Sequence, residues 1–113
     1  MGYSSRVTLQ FIESSVYSEQ IDDLLSEEDH RQLQLHLLEQ PERGDLIKGA
    51  GGLRKLRWAG SGRGKRGGIR VIYYLWQGDT AFLLFAYPKN QQEDLTSMQV
   101  KVLKNLIQLY TNE

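Results

Sequence analysis

The chain has no cysteine, and only two histidines and two prolines among its 113 residues. Without cysteine there is no disulfide framework and no thiolate zinc site, and so few histidines do not build a metal cage. No apolar run approaches the roughly 20 residues that a membrane-spanning helix needs, and the first residues lack the uninterrupted apolar core of a signal peptide. We therefore expect a cytoplasmic protein that binds no metal and contacts no membrane.

The composition is that of an ordinary globular domain, with 40% hydrophobic and 25% charged residues. We find no internal repeat, no low-complexity segment and no linker, so we expect one domain that spans residues 1–113. Lysine and arginine together number 14, as do aspartate and glutamate, so the formal net charge is zero. Taken as a total, that balance argues against a nucleic-acid partner.

The distribution of charge along the chain points the other way, towards an anionic partner. Residues 1–45 carry ten acids and three bases, whereas residues 46–78 carry no acid at all. A surface that is simply solvated usually mixes both signs, so the acid-free segment indicates an anion-binding region. Many of the glycines lie in the same segment and would let the backbone approach a partner closely. Its eight cations are Lys48, Arg54, Lys55, Arg57, Arg63, Lys65, Arg66 and Arg70.

Helical signals occur in both the first and the last part of the chain. Residues 14–25 place apolar side chains near helical spacing. Ser26, followed by three acids, is a good N-cap for a second helix, which Pro41 must end. Thr96 and Gln99 form a capping-box pattern at the start of an amphipathic terminal helix. We therefore predict two consecutive helices early in the chain and one at its end.

Strand signals come before and after the helix pair. Residues 7–13 alternate apolar and polar side chains, and the runs 53–59, 69–76 and 80–87 are rich in β-branched and aromatic residues. The break between the last two runs is short enough for an antiparallel hairpin. The order predicts an α+β domain, in which an antiparallel sheet is packed by two N-terminal helices and a C-terminal helix.

Alternation within LRKLRW separates two kinds of side chain. If Leu56 and Trp58 face the core, Lys55 and Arg57 project together from the other face. Arg70 joins them if the two strands that carry these residues pair in the appropriate register. Guanidinium and ammonium groups grouped in this way suit the phosphates of a polyanion, although a solvated face that discourages edge pairing has the same pattern.

Aromatic residues follow the basic strand. Tyr74 and its neighbours are close enough in sequence to stack on RNA bases, as happens in single-stranded RNA recognition. A place in the hydrophobic core is the alternative for most of them.

Two apparent cofactor motifs fail on their context. Gly62, Gly64 and Gly67 satisfy the dinucleotide-binding pattern, but a strand follows them at Ile69, where a helix N-terminus would have to receive the pyrophosphate. The serine or threonine that should follow Lys65 in a phosphate loop is also missing. We therefore expect no cofactor.

Three segments carry a resemblance to a known family: GGLRKLRW, GKRGGIRVIYY and AYPKNQQEDLT. Together with the order of elements, they make the chain similar to the HigB toxins of the RelE/ParE superfamily, from bacterial type II toxin-antitoxin modules. The resemblance implies a small α+β protein that enters the ribosomal A site and cuts the bound mRNA without a metal. It also implies a helix-turn-helix antitoxin of the HigA type. Operator DNA would then be bound only through the toxin-antitoxin complex.

The resemblance also implies roles for individual residues. Lys55 and Arg57 match the basic pair before the glycine-rich loop, Arg70 matches the arginine that opens the next strand, and Lys89 belongs to the basic element after the last strand. Since arginine is a poor base, we expect Arg57 and Arg70 to hold the scissile phosphate and Lys55 to transfer a proton, with Lys89 as the second choice. The residues expected to contact mRNA or ribosomal RNA are Arg54, Arg63, Lys65, Arg66 and Tyr74.

Two departures from the family pattern leave the general acid and base unassigned. Asn90 stands where an arginine is often found, and no tyrosine occurs at positions 94–96. Alternatives to the nuclease are a noncatalytic RNA- or ribosome-binding module, a ParE-like toxin that poisons gyrase, and an inactive relative that only binds a partner.

Overall fold

The computed structural model describes residues 8–59 and 68–112. Within them the chain forms five strands and three helices. In chain order these elements are β1 (Gln10–Glu13), α1 (Ser15–Leu24), α2 (Glu27–Glu39), β2 (Asp45–Leu46), β3 (Leu53–Trp58), β4 (Ile69–Trp76), β5 (Thr80–Pro88) and α3 (Ser97–Thr111).

Each helix begins where a side-chain oxygen replaces a missing backbone acceptor. Ser14 accepts a hydrogen bond from the Tyr17 amide at the start of α1, and Ser26 accepts one from the Asp29 amide at the start of α2. At α3, Thr96 forms the predicted capping box with Gln99. The N-caps predicted at Ser26 and Thr96 are confirmed.

The strands form one sheet in the order β1-β5-β4-β3-β2. From β2 to β5, each strand pairs antiparallel with the next strand along the chain. Strand β1 lies at the edge of the sheet and pairs parallel with β5. The predicted α+β class is therefore confirmed, with a sheet that is mixed rather than wholly antiparallel. The parallel edge arises because helices α1 and α2 separate β1 from the rest of the sheet, and no hairpin dictates its direction.

Helices cover both faces of the sheet. On the face covered by α1 and α2, Tyr17 and Leu37 pack against Leu56, Val71 and other buried residues. We call the opposite side the α3 face. There the buried residues include Leu53, Ile72, Phe82, Leu103 and Ile107. Strands β3, β4 and β5 therefore contribute residues to two separate apolar layers, one on each face of the sheet.

A bulge in β5 changes which residues reach the α3 face. The register with β4 passes from Ile72↔Phe85 to Tyr73↔Leu83, so Leu84 has no partner on β4. Its carbonyl accepts a hydrogen bond from the Ser14 hydroxyl at 2.8 Å. As a result, both Leu84 and Phe85 pack on the α3 face.

Tyr73 holds the connection between α2 and β2. Its hydroxyl donates to the Pro41 carbonyl at 2.6 Å and accepts from the Gly44 amide at 2.9 Å. A Cβ at Gly44 would lie 2.6 Å from Tyr73 Cε1, so only glycine fits. This contact places the short strand β2, which the sequence pattern did not indicate, beside β3.

In the described part of the chain, no helix combines the length and the apolar character that a membrane span requires.

Candidate functional site

Lys55, Arg57 and Arg70 lie on the same face of the sheet. Leu53 begins the α3 face of β3 as a buried residue under α3, and Lys55 and Arg57 follow it along the same face. Arg57 pairs directly with Arg70 across β3 and β4. The strands therefore pair in the register that brings Arg70 beside Lys55 and Arg57. We call these three residues the cationic cluster.

The cationic cluster is partly buried, which makes its charge costly. Arg70 is 5% exposed, and its Nη1 donates to its neighbour's carbonyl, that of Ile69, at 3.3 Å. The Lys55 side chain is 14% exposed, whereas that of Arg57 is largely open to solvent. Because like charges directly opposite on a sheet repel one another, such a cluster requires compensating acids.

Acidic residues from distant segments supply that compensation. The Lys55 Nζ lies 2.6 Å from an Asp94 carboxylate oxygen, a charge-assisted hydrogen bond. Longer contacts of 3.9 Å join Arg70 to Glu93 and Arg57 to Asp45. These acids all lie outside the acid-free segment of residues 46–78, so the cations have acidic partners in space that the local sequence does not provide.

Two ionisable groups at the site, the Asp94 carboxyl and the Tyr87 hydroxyl, have pKa values shifted from their ordinary ones. The hydrogen bond and the charge of Lys55 lower the pKa of Asp94, so this carboxylate is ionised at neutral pH. Tyr87 lies opposite Arg70 in the sheet, and burial raises the pKa of its hydroxyl. That hydroxyl donates to the Glu93 carbonyl at 3.3 Å.

Residues 89–96, the β5–α3 connection, hold the two acids in place. Gln92 Nε2 donates to the Asp94 carbonyl and to Gln99 Oε1, each at 2.9 Å. The same Gln99 oxygen accepts from the Thr96 amide as part of the capping box. The start of α3 therefore orders the segment that places Asp94 over Lys55.

A cleft of about 340 Å³ opens beside the cationic cluster. Its volume lies at the lower end of the range of small-molecule sites, about 300 to 1,000 Å³. It combines charged groups with an apolar wall, so it offers contacts to a phosphate and to an apolar ring system together. The lining residues are the cations Lys48, Lys55 and Arg57, the acids Asp45 and Asp94, and the apolar Leu46, Ile47 and Leu95.

Other residues singled out from the sequence lie elsewhere. Arg54 points to the other face of β3, where its Nη1 donates to the carbonyls of Gly44 at 2.7 Å and Glu42 at 3.1 Å. Tyr74 is half-buried and packs with the apolar layer of the α3 face. Neither therefore belongs to the cationic cluster, and their contacts with RNA stay a prediction.

Lys89 lies at the same end of the sheet as Arg57 and Arg70. It is exposed, and its amide donates to the Gly68 carbonyl at 3.1 Å. Arg63, Lys65 and Arg66 lie outside the described residues.

Sequence reasoning missed the acids Asp45, Glu93 and Asp94 as members of the site. A signal was present for two of them. Because β4 and β5 form a hairpin, the end of β5 must return beside Arg70, and Glu93 and Asp94 are the first acids after β5. Among the residues that the structure describes, no group of three or more His, Cys, Asp or Glu side chains could hold a metal ion.

Comparison with known proteins identifies the family. Residues 38–113 match the family model described as RelE toxin of the RelE/RelB toxin-antitoxin system. The fold is similar to that of a double arginine-to-alanine mutant of the E. coli toxin RelE in the free state, with a TM-score of 0.55 and 16% sequence identity. That alignment covers 77% of this chain and 90% of the E. coli chain. The chain therefore belongs to the RelE family of toxins from toxin-antitoxin systems.

Proposed function

We propose that this toxin is a ribosome-dependent mRNA endonuclease of the HigB branch, which cuts mRNA in the ribosomal A site and stops translation. The observation that carries the proposal is the cationic cluster beside an open cleft, on a chain of the RelE family. An RNA strand offers what such a site binds, namely phosphates for the cations and a base for the apolar wall.

In the proposed reaction, the 2′-hydroxyl of the preceding nucleotide attacks the scissile phosphorus and gives up its proton. The bond to the 5′-oxygen breaks, and that oxygen takes up a proton, leaving a cyclic phosphate and a 5′-hydroxyl end. Negative charge accumulates on the phosphorane oxygens in between. Arg57 and Arg70, paired across β3 and β4, are suited to stabilise that charge with donors already in position.

Lys55 is the proposed proton-transfer group, and Lys89 is the second candidate. Lys55 lines the cleft and is held by Asp94, so its ammonium group is positioned before RNA arrives. Arg63, Lys65 and Arg66 are proposed to contact ribosomal RNA or mRNA, as their position in the basic segment suggests. The whole chain, residues 1–113, is proposed to act as one cytoplasmic domain.

Membership in the family supports an antitoxin as partner. We propose a helix-turn-helix protein of the HigA type, through which operator DNA is bound. The acidic residues of the first 45 positions are one surface where it could dock.

The decisive experiment compares mRNA cleavage with and without translating ribosomes. The purified toxin is added to each reaction and the 5′ ends of the mRNA are mapped. Cuts inside translated codons that appear only with ribosomes are the expected result. Binding to ribosomes without cleavage would favour a noncatalytic module, and DNA damage without RNA cleavage would favour a gyrase poison.

A further inference from the structure

The acids of the β5–α3 connection lie against the two least exposed members of the cationic cluster, Lys55 and Arg70. We propose that the carboxylates of Glu93 and Asp94 occupy the phosphate positions of the cluster in the free toxin, and so compete with every anion that enters. Glu93 and Asp94 would then be specificity-determining residues, because a ligand must make further contacts to displace them. The inference rests on the proposed function in taking RNA as the ligand that does so.

The first support is the order in which an incoming anion meets these groups. The Asp94 side chain is 72% exposed, whereas that of its partner Lys55 is 14% exposed. Glu93 is 56% exposed, whereas Arg70 is 6% exposed. An anion that approaches these two pairs from solvent therefore meets mainly carboxylate surface.

The second support is chemical equivalence. Carboxylate and phosphate oxygens make the same charge-assisted hydrogen bonds to ammonium and guanidinium groups. Asp94 is ionised at neutral pH and contacts Lys55 at 2.6 Å, so it makes the bond that a phosphate oxygen would make. Because the carboxylate of this ion pair is largely exposed, water competes for it, and a ligand with several contacts is able to replace it.

The third support is the way the carboxylates are tethered. Backbone carbonyls of both acids are held, that of Glu93 by the Tyr87 hydroxyl and that of Asp94 by Gln92. A displaced carboxylate therefore stays close and acts at a high effective concentration, which for short tethers is in the millimolar range. A lone phosphate has to compete with it through one set of contacts. An RNA strand adds the contacts of neighbouring phosphates and of the cleft.

The test measures binding of inorganic phosphate to the full chain by NMR titration, with the Lys55 and Arg57 amides as reporters. Asp94→Asn removes the competing charge and keeps the shape of the side chain. We expect it to bind phosphate roughly threefold to fivefold more tightly than the wild type, the scale of one exposed ion pair. Asp22→Asn is the matched control, since it removes an exposed acid from α1, on the other side of the sheet.

The same titration tests the contact between Glu93 and Arg70. It compares Glu93→Gln with its control Glu19→Gln, which removes an exposed acid from α1. Circular dichroism verifies that each variant is folded. The proposal is overturned if Asp94→Asn and Glu93→Gln bind phosphate no more tightly than their controls, or more weakly than the wild type. Weaker binding would mean that the acids only position the cations.

The two proposals fail separately. Mapping of mRNA 5′ ends with ribosomes is carried out on the same proteins. If the variants bind phosphate more tightly but no protein cleaves mRNA, the proposed nuclease activity is rejected. The proposed competition between the carboxylates and phosphate then still stands. If mRNA is cleaved but the variants bind phosphate as their controls do, the competition is rejected and the nuclease activity still stands.

Discussion

At the scale of single residues, the site depends on cations whose burial differs. Arg57 is open to solvent, so its replacement tests function with little effect on folding, whereas Arg70 is buried and its loss would change both. Lys55 lies between these cases, with its stem covered and its ammonium group at the cleft. Substitutions at Lys55 and Arg57 therefore test the effect on catalysis with less effect on stability than a substitution at Arg70.

If the chain is the mRNA endonuclease proposed above, replacing Arg57 by alanine should reduce cleavage by about 10²- to 10³-fold, because one donor to the phosphorane is lost. The free energy of unfolding should change by no more than about 0.5 kcal/mol, as for most surface substitutions. Cleavage rates on translating ribosomes and urea denaturation measure the two effects. Arg31→Ala is the control, since the Arg31 side chain is 64% exposed and that of Arg57 is 63% exposed. Equal activity of the two variants would remove Arg57 from the site.

Replacing Lys55 by arginine keeps the positive charge but removes a group that can give up its proton. If Lys55 transfers a proton, cleavage should fall by about 10²-fold or more while RNA binding stays within a few-fold of the wild type. Single-turnover cleavage and fluorescence anisotropy with labelled RNA provide the two measurements. A variant that cleaves at the wild-type rate would limit Lys55 to an electrostatic role.

At the scale of elements, the contact between helices α1 and α2 contains a buried hydroxyl. Tyr17 is fully buried, and its hydroxyl lies 3.2 Å from His30 Nε2, so this contact joins α1 to α2. Burial, together with the negative charge of Glu13, raises the pKa of Tyr17 above its ordinary value of 10. The stability of this helix pair is therefore linked to pH.

The sign of the linkage follows from the direction of the shift. Because the pKa of Tyr17 is higher in the folded state, the folded protein holds the hydroxyl proton more tightly than the unfolded chain does. The contribution is therefore complete below pH 10 and is lost as the pH rises further. We expect the free energy of unfolding to fall above pH 10 by up to about 1.4 kcal/mol per pH unit for this one hydroxyl.

Tyr17→Phe should make that alkaline fall shallower, as measured by urea denaturation at a series of pH values. It should also cost about 1 kcal/mol at neutral pH, through the lost hydrogen bond to His30. Tyr110→Phe removes the same hydroxyl from an exposed position, so comparison of the two variants isolates the buried group. A Tyr17→Phe variant with an unchanged alkaline slope would contradict the assignment.

Elements also show how far local patterns predict structure. Strands β3, β4 and β5 and the capped helices α2 and α3 follow from periodicity and capping residues that lie within each segment. Strand β2 has two residues and therefore no period to detect. The direction of β1 depends on the path through α1 and α2, which no local pattern records.

At the scale of the whole molecule, a net charge of zero coexists with a local cationic surface. RNA affinity should therefore depend strongly on salt even though the chain is neutral overall. In a plot of log affinity against log salt concentration, Arg57→Ala should reduce the slope for single-stranded RNA by about 0.7, the contribution of one phosphate contact. Anisotropy titrations at several salt concentrations test this. A slope equal to that of the wild type would mean that Arg57 contacts no phosphate.

The α+β class, the position of the basic segment and the face on which Lys55 and Arg57 lie all follow from the sequence alone. Those features depend on side-chain periods of two or 3.6 residues and on charges that are adjacent in the chain. The structure also confirmed the proximity of Arg70, which the sequence stated as a condition on strand register.

The ion pairs of the site, by contrast, depend on how the chain folds. Asp94 contacts Lys55 across 39 positions of sequence. On the opposite side of β3, Arg54 donates hydrogen bonds to backbone carbonyls of the α2–β2 connection. Contacts of this kind depend on where a connection ends once both faces of the sheet are packed. The physical reason is that charges interact through space, whereas a sequence pattern records only neighbours along the chain.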